Sequence, residues 1–262
     1  MRMALLACAV LISAACKDKP ASREQPAAQR AEPRAPAVPH LETPEVKGPG
    51  LVPAIGIGPR ITFGTSELKL GNDTVVTLGP EGTLDPAQLQ RLTRMLETEA
   101  TSDAPIGIAL DASIPYRRLG VLLDALRRGG FRNLALLTGS GDQMIPIELP
   151  DAAEVNGAGV RPVVTILRSR LTLWSASGEE GTKVRPKLTL DLGADPSFAP
   201  VTRALADIVE RRWPDGKRAD SDRTIIVQLD GAQPARVLLE LLAAVRADGS
   251  RELFPNIFLA GG

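Results

Sequence analysis

The sequence predicts an α/β fold, an α+β two-layer sandwich made of two tandem ββ(β)αβαβ units with helices on one face of a mixed sheet. Three observations lead there. A strand–turn–helix segment occurs twice, as "LDASIPYRRLGVLLDALRRGGFRNLALLTG" from Leu110 and "LDGAQPARVLLELLAAVRADGSRELFPNIFLAGG" from Leu229. Setting Asp111 on Asp230 brings Pro115 onto Pro234 and Arg117 onto Arg236, and Leu119, Leu122 and Leu123 onto Leu238, Leu241 and Leu242. Short apolar runs alternate with segments whose apolar residues recur at helical spacing. Each helical segment also carries one apolar stripe only, so each pair of helices covers a single sheet face. The sister unit is the nearest partner for what remains uncovered. An intramolecular pseudo-dimer is therefore expected, and pairing across a sheet edge would protect that edge.

The elements follow in order. In the first unit, "RITF", "ELKL" and "TVVTL" are strand segments, with Gly71-Asn72-Asp73 as a hairpin signal. Asp85-Pro86 opens a helix, with Gln88 placed as the capping-box partner. Leu89, Leu92 and Leu96 form that helix's stripe. "PIGIAL" is a buried strand, and Pro115 opens a second helix striped by Leu119, Leu122, Leu123 and Leu126. Gly129-Gly130 ends it and "NLALLT" is the next strand. The second unit repeats the order: strands "VVTIL", "RLTLW" and "KLTLDL", then Asp195-Pro196 as the echo of Asp85-Pro86. A helix from about Pro200 carries Val201, Leu205, Ile208 and Val209. "TIIVQL", a helix striped by Leu238, Leu241, Leu242 and Val245, and "NIFLAGG" complete it. The Asp-Pro pairs are 110 residues apart and the Leu-Asp pairs 119, so "RRWPDGKRADSDR" holds the added length.

The N-terminal region has a different composition. Arg2 is followed by the apolar Ala4 to Ile12 and by Ser13-Ala14-Ala15, the pattern of an export signal over 1–15. As a helix, Met3 to Cys16 reaches only about 21 Å, short of the ~30 Å hydrocarbon layer. Cys16 directly after the small residues resembles a bacterial lipoprotein signal, in which the cysteine is lipidated; Ser13 stands where that motif has leucine. Cys8 leaves with the signal, so the mature chain holds one thiol and no internal disulfide. Residues 16–59 are expected to be a disordered Pro/Ala-rich linker. The nine prolines from Pro20 to Pro59 accompany almost no large apolar residue. Two domains are expected after it, 60–150 and 151–262.

The 31 basic and 31 acidic residues cancel, so no excess of positive charge is present to hold a nucleic acid. The only histidine, His40, falls in the linker. Without histidine or cysteine, residues 60–262 lack the groups of Cys–His and Ser–His nucleophiles and of ordinary zinc sites. "TGSGDQ" at Thr138 lacks the lysine and the following helix of a phosphate loop, and is a turn. No enzyme and no cofactor are expected.

"IGIALDASIPYRRLGVLLDALRRGGFRNLALLT" resembles the periplasmic domain of the ExbD/TolR family of biopolymer transport proteins. There a buried strand ends in aspartate and a proline-tyrosine pair opens an amphipathic helix, matched by Asp111, Pro115 and Tyr116. "LDGAQPARVLLELLAAVR" matches at Asp230 and Pro234, with Ala235 in place of the tyrosine. The resemblance implies a periplasmic module of an energy-transducing machine that works as a dimer. It would contact envelope proteins of the TonB/TolA or ExbB/TolQ kind and, in some members, peptidoglycan. Family members carry an acidic residue in a membrane helix for proton flow; here no Asp or Glu precedes Asp18, so no residue inherits that role. A lipid on Cys16 would hold the module at a membrane in the cell envelope. Asp111, Tyr116, Arg117, Asp230 and Arg236 are the candidate partner contacts. For both aspartates the alternative is acceptance of loop or helix-start amides. For Tyr116 it is packing, and for Arg117, with Arg118, Arg127 and Arg128, a solvated helix face.

Overall fold

The computed structural model describes residues 41–79, 82–100, 104–150, 161–214 and 223–260, all within one compact unit, Pro39–Gly262. The expected signal segment and Cys16 lie outside the described residues. The first half contributes β1 (Val52–Pro53), β2 (Arg60–Phe63), β3 (Glu67–Leu70), β4 (Asp73–Thr77), α1 (Pro86–Glu99), β5 (Ile106–Leu110), α2 (Tyr116–Arg128), β6 (Asn133–Thr138) and β7 (Gln143–Glu148). The second contributes β8 (Pro162–Leu167), β9 (Arg170–Ser175), β10 (Leu188–Asp191), α3 (Ala199–Arg212), β11 (Thr224–Leu229), α4 (Ala235–Arg246), the small hairpin β12 (Ala247–Asp248) and β13 (Arg251–Glu252), and β14 (Asn256–Leu259).

The fold is mixed α/β, with a 12-stranded mixed sheet and helices packed beside it. The sheet order is β10-β9-β8-β11-β14-β7-β6-β5-β2-β3-β4, with β1 paired to β7 off this path. Hairpins supply the antiparallel pairs β2–β3, β3–β4, β8–β9 and β9–β10. Helical crossovers supply the parallel pairs β2–β5, β5–β6, β8–β11 and β11–β14, as a parallel neighbour requires. Read from either end the order of equivalent strands is the same, and β7 stands at the middle.

Strand alternation decides what meets the helices. Ile61, Phe63, Ile108, Leu110, Leu134 and Leu136 from the first half share one buried cluster with Val164, Ile166, Ile225, Val227, Ile257 and Leu259 from the second. All four helical stripes join the same cluster, so the two expected domains have one core in common. The opposite face carries a smaller cluster of Val163, Ile226 and Phe258 with Trp174 and Ala260 beside it. α1 starts as its sequence specifies at the cap, where the Asp85 carboxylate accepts from Ala87 N–H at 3.0 Å. The capping-box contact does not form: Gln88 Oε1 is buried without a hydrogen-bond partner. Among the described residues no helix is long and apolar enough to cross a membrane.

The linker expected over 16–59 needs correction at its C-terminal end. Residues 41–59 are built into the fold. Val46 is in the common core, and Val52 and Pro53 pair with Met144 and Gln143. A Cβ on Gly107 would lie 2.7 Å from Ile57 Cγ2, so the bare glycine in β5 admits Ile57. Proline-rich composition misled because proline keeps its main-chain carbonyl: the carbonyls of Glu42, Pro44 and Pro59 accept hydrogen bonds from the body, while the N–H groups of Glu42, Ala54 and Gly58 donate to it.

Candidate functional site

β5 and β11 each end at an aspartate, Asp111 and Asp230, and each aspartate opens a short loop into a helix. The two loops run antiparallel against each other, with Pro115 bridged to Pro234. Tyr116 N–H donates to Gln233 C=O at 2.7 Å, and Ala235 N–H donates to Ile114 C=O at 2.8 Å. Arg117 N–H donates to Gly231 C=O at 2.9 Å, and Arg236 N–H to Ala112 C=O at 3.2 Å. The four bonds form two symmetric pairs, since Tyr116 corresponds to Ala235 and Arg117 to Arg236.

This geometry answers a local need of the chain. A helix leaves its first N–H groups without intrahelical partners. Neither α2 nor α4 has a side-chain cap; Pro115 and Pro234 occupy the N-cap positions in extended conformation. Each loop therefore supplies the carbonyls that cap the other loop's helix. The prolines hold φ at −65° and −74°, which keeps the loops extended enough to pair. Gly231 is required by the approach, because a Cβ there would lie 2.9 Å from Arg117 Cβ.

Both aspartates begin with the same turn. Asp111 Oδ1 accepts from Ser113 N–H at 3.0 Å, and Asp230 Oδ1 from Ala232 N–H at 3.0 Å. Their second oxygens differ. Asp111 Oδ2 accepts from Glu42 N–H at 3.3 Å. Asp230 Oδ2 accepts from Arg168 N–H at 3.1 Å, in the β8–β9 turn. Arg168 sits there at φ 56°, the left-handed region. The Ala232 and Arg168 amides lower the Asp230 carboxyl below its ordinary value. Asp111 is 7% exposed, and Ser113 Oγ donates a further hydrogen bond to it.

Tyr116 is enclosed at the seam, 1% exposed, and its hydroxyl donates to Ala260 C=O at 2.7 Å. Burial raises its phenol above the usual value. As a surface contact for a partner it is therefore corrected: its ring and hydroxyl join the two halves. Arg117 keeps an exposed side chain and borders, with Arg118 and Val121, an open cleft of about 700 Å³. Arg236 lies near Asp195 at 3.3 Å and Glu240 at 3.9 Å. Burial raises the Glu240 carboxyl, against the opposing effect of Arg236. The structure thus gathers Asp111, Tyr116, Arg117, Asp230 and Arg236 around one pseudo-twofold axis. Cys16 lies outside the described residues.

Two features had no visible signal in the sequence. β7 contains Pro146 in mid-strand, which argues against a sheet interior. It nevertheless pairs along β6, and its other edge is shared between β1 at Gln143–Met144 and β14 at Glu148. Glu180, 3% exposed, binds Arg211 at 2.7 Å, Lys187 at 3.0 Å and Arg212 at 3.3 Å. Burial pushes its carboxyl up, but the three cations together prevail and it lies below its ordinary 4.5. This cluster ties the β9–β10 loop to the end of α3. Among the described residues no group of three or more His, Cys, Asp or Glu side chains is placed to hold a metal ion.

The fold and its seam define a mixed α/β protein of two repeated units sharing one sheet. No family model matches the chain, and no curated protein matches it.

Proposed function

We propose that this chain is a non-catalytic periplasmic component of an ExbD/TolR-type biopolymer transport or energy-transduction system. It is held at a membrane by a lipid on Cys16 and binds a protein partner in the cell envelope. The observation that carries the reading is the reciprocal pairing of the two Asp-x-x-x-Pro loops, Asp111–Pro115 and Asp230–Pro234. The resemblance implies a module that works as a dimer, and here two copies of the matching segment meet about a local twofold within one chain. Arg117 and Arg236 leave the loops on either side of that axis, where a partner spanning both halves would touch them.

In-cell photo-cross-linking from positions 117 and 236 tests the partner. A discrete envelope-protein adduct at both positions is expected; adducts at neither position overturn the reading. The alternative reading, a peptidoglycan-binding structural envelope lipoprotein, is tested by sedimentation with peptidoglycan sacculi, and co-sedimentation of the purified protein would favour it. Cys16→Ser is expected to move the protein from the membrane to the soluble fraction, and continued membrane fractionation contradicts the anchor.

A further inference from the structure

The two halves close their outer hairpins differently. Gly71 and Asn72 suffice between β3 and β4, whereas twelve residues, 176–187, join β9 to β10. The sister hairpin shows that the fold does not need the added length, and loops on a fixed scaffold are where binding residues concentrate. β10 is the last strand on its side of the sheet, so this loop stands at an outer edge. Its main chain is held in place. Thr182 N–H donates to Arg185 C=O at 2.9 Å, and Arg185 N–H donates to Thr182 Oγ1 at 3.1 Å, closing a turn with Lys183 and Val184 at its tip. Gly181 precedes the turn at φ 87°, where a Cβ would lie 2.6 Å from Lys187 N. Lys187 N–H donates to Leu173 C=O at 2.8 Å, and Ser175 N–H to Gly181 C=O at 3.1 Å.

What this turn presents is one apolar side chain between two cations. Val184 is 88% exposed, more than any other large apolar residue among the described residues. Lys183 and Arg185 on either side of it are exposed, and neither pairs with a carboxylate among the described residues. The other cations of the region are engaged: Glu180 binds Lys187, Arg211 and Arg212, and Glu179 also pairs with Arg212. The loop and the last turn of α3 together hold five cations, Lys183, Arg185, Lys187, Arg211 and Arg212, against three carboxylates, Glu179, Glu180 and Glu210. The chain as a whole is neutral, so this excess is local, and Glu180 directs its share of it inward while leaving the tip uncompensated.

We propose that the β9–β10 loop docks on an anionic lipid bilayer, with Val184 entering the headgroup layer and Lys183 and Arg185 meeting lipid phosphates on either side. A folded partner would have to supply a pocket for Val184. A lipid interface takes up a protruding apolar side chain between cations without one. This goes beyond the envelope-transport reading: it fixes which edge of the sheet faces the membrane. It needs neither a lipid on Cys16 nor a protein partner, so it fails or stands apart from both.

The test uses the full chain carrying Cys16→Ser, so that no lipid is attached, and sedimentation with vesicles. Vesicles of equimolar phosphatidylglycerol and phosphatidylcholine are expected to bind it more tightly than phosphatidylcholine alone, with release by added salt. Changing Lys183 and Arg185 together to Gln is expected to weaken binding to the anionic vesicles about 25-fold, about fivefold for each cation. Val184→Ser is expected to weaken it about 3- to 10-fold, for incomplete burial of one valine side chain, with the salt dependence unchanged. The control is the same loss of charge on α1, Arg91→Gln with Arg94→Gln, both exposed there, which is expected to leave binding unaltered. Every variant keeps the same N-terminal segment, so its contribution cancels in the comparison. Equal weakening by the α1 pair and the loop pair overturns the proposal, as does binding by the loop variants equal to that of the parent chain. Binding to anionic vesicles no tighter than to phosphatidylcholine also overturns it, and leaves the anchoring role of Cys16 to its own test.

Discussion

The two halves carry the same strand–turn–helix segment, yet they use its aspartate differently. Asp111 and Asp230 make the same first hydrogen bond, to the amide two residues on. The second oxygen of Asp111 accepts from Glu42 N–H in the segment before the repeat, and that of Asp230 from Arg168 in its own hairpin. A parallel divergence occurs one turn into the helix. Tyr116 reaches across to Ala260, whereas its counterpart Ala235 is buried with no side-chain atoms beyond Cβ. What the two halves hold in common builds the seam. What they do not hold in common decides what each half receives, the N-terminal segment at Glu42 on one side and the β8–β9 turn on the other.

Breaking the comparison at its most asymmetric position gives the largest expected effect. Tyr116→Ala makes the two helix starts alike, and should cost about 3–5 kcal/mol as a large buried aromatic truncation, measured by urea unfolding. Tyr116→Phe, which removes only the bond to Ala260, should cost about 1–2 kcal/mol. Tyr116 is the only tyrosine in the chain, so its ionisation can be followed by absorbance. Its phenol is raised in the folded state, so its stabilising contribution is complete below the ordinary value of 10.0 and declines as pH rises beyond it. Tyrosinate absorbance is expected to appear together with unfolding.

A smaller effect comes from making the loops alike. Gly231→Ala copies Ala112 into the second half but presses a Cβ against Arg117; about 1–3 kcal/mol is expected for such overpacking. The reverse change, Ala112→Gly, adds no contact and should cost about 0.4–1 kcal/mol through the unfolded chain. Thermal denaturation of the pair checks the ordering.

Glu180 belongs to the second half alone, and Glu180→Gln is expected to cost about 1–3 kcal/mol by removing the charge that three cations share. Its carboxyl lies below 4.5 when folded, so its contribution is present above that pH and is lost as pH falls through the folded value. The acid limb of wild-type stability should therefore be steeper than that of Glu180→Gln. Parallel limbs would contradict the assignment.

Much of the fold was legible because it is encoded by side-chain period. The stripes Leu119–Leu126 and Leu238–Val245 mark buried faces of α2 and α4, and the short apolar runs mark strands. The misses involve main-chain partners, which a sequence does not spell. Pro146 hid β7, whose edges are satisfied by three different strands. The prolines between Pro44 and Pro53 hid a segment that docks through the carbonyls of Glu42 and Pro44 and the N–H groups of Glu42 and Ala54. At the candidate site the alignment located Asp111, Pro115, Asp230 and Pro234, but not that the loops meet. Four backbone bonds between residues 114 to 124 positions apart in the chain leave no mark on composition.

Amide hydrogen exchange at Tyr116, Arg117, Ala235 and Arg236 tests the reciprocal capping most directly. First-turn helix amides ordinarily lack intrahelical partners and exchange early. Here all four are expected to be protected to the same degree as the β5 and β11 amides, and to open together with them. Exchange of these four at rates near those of the free chain, with β5 and β11 still protected, would contradict it.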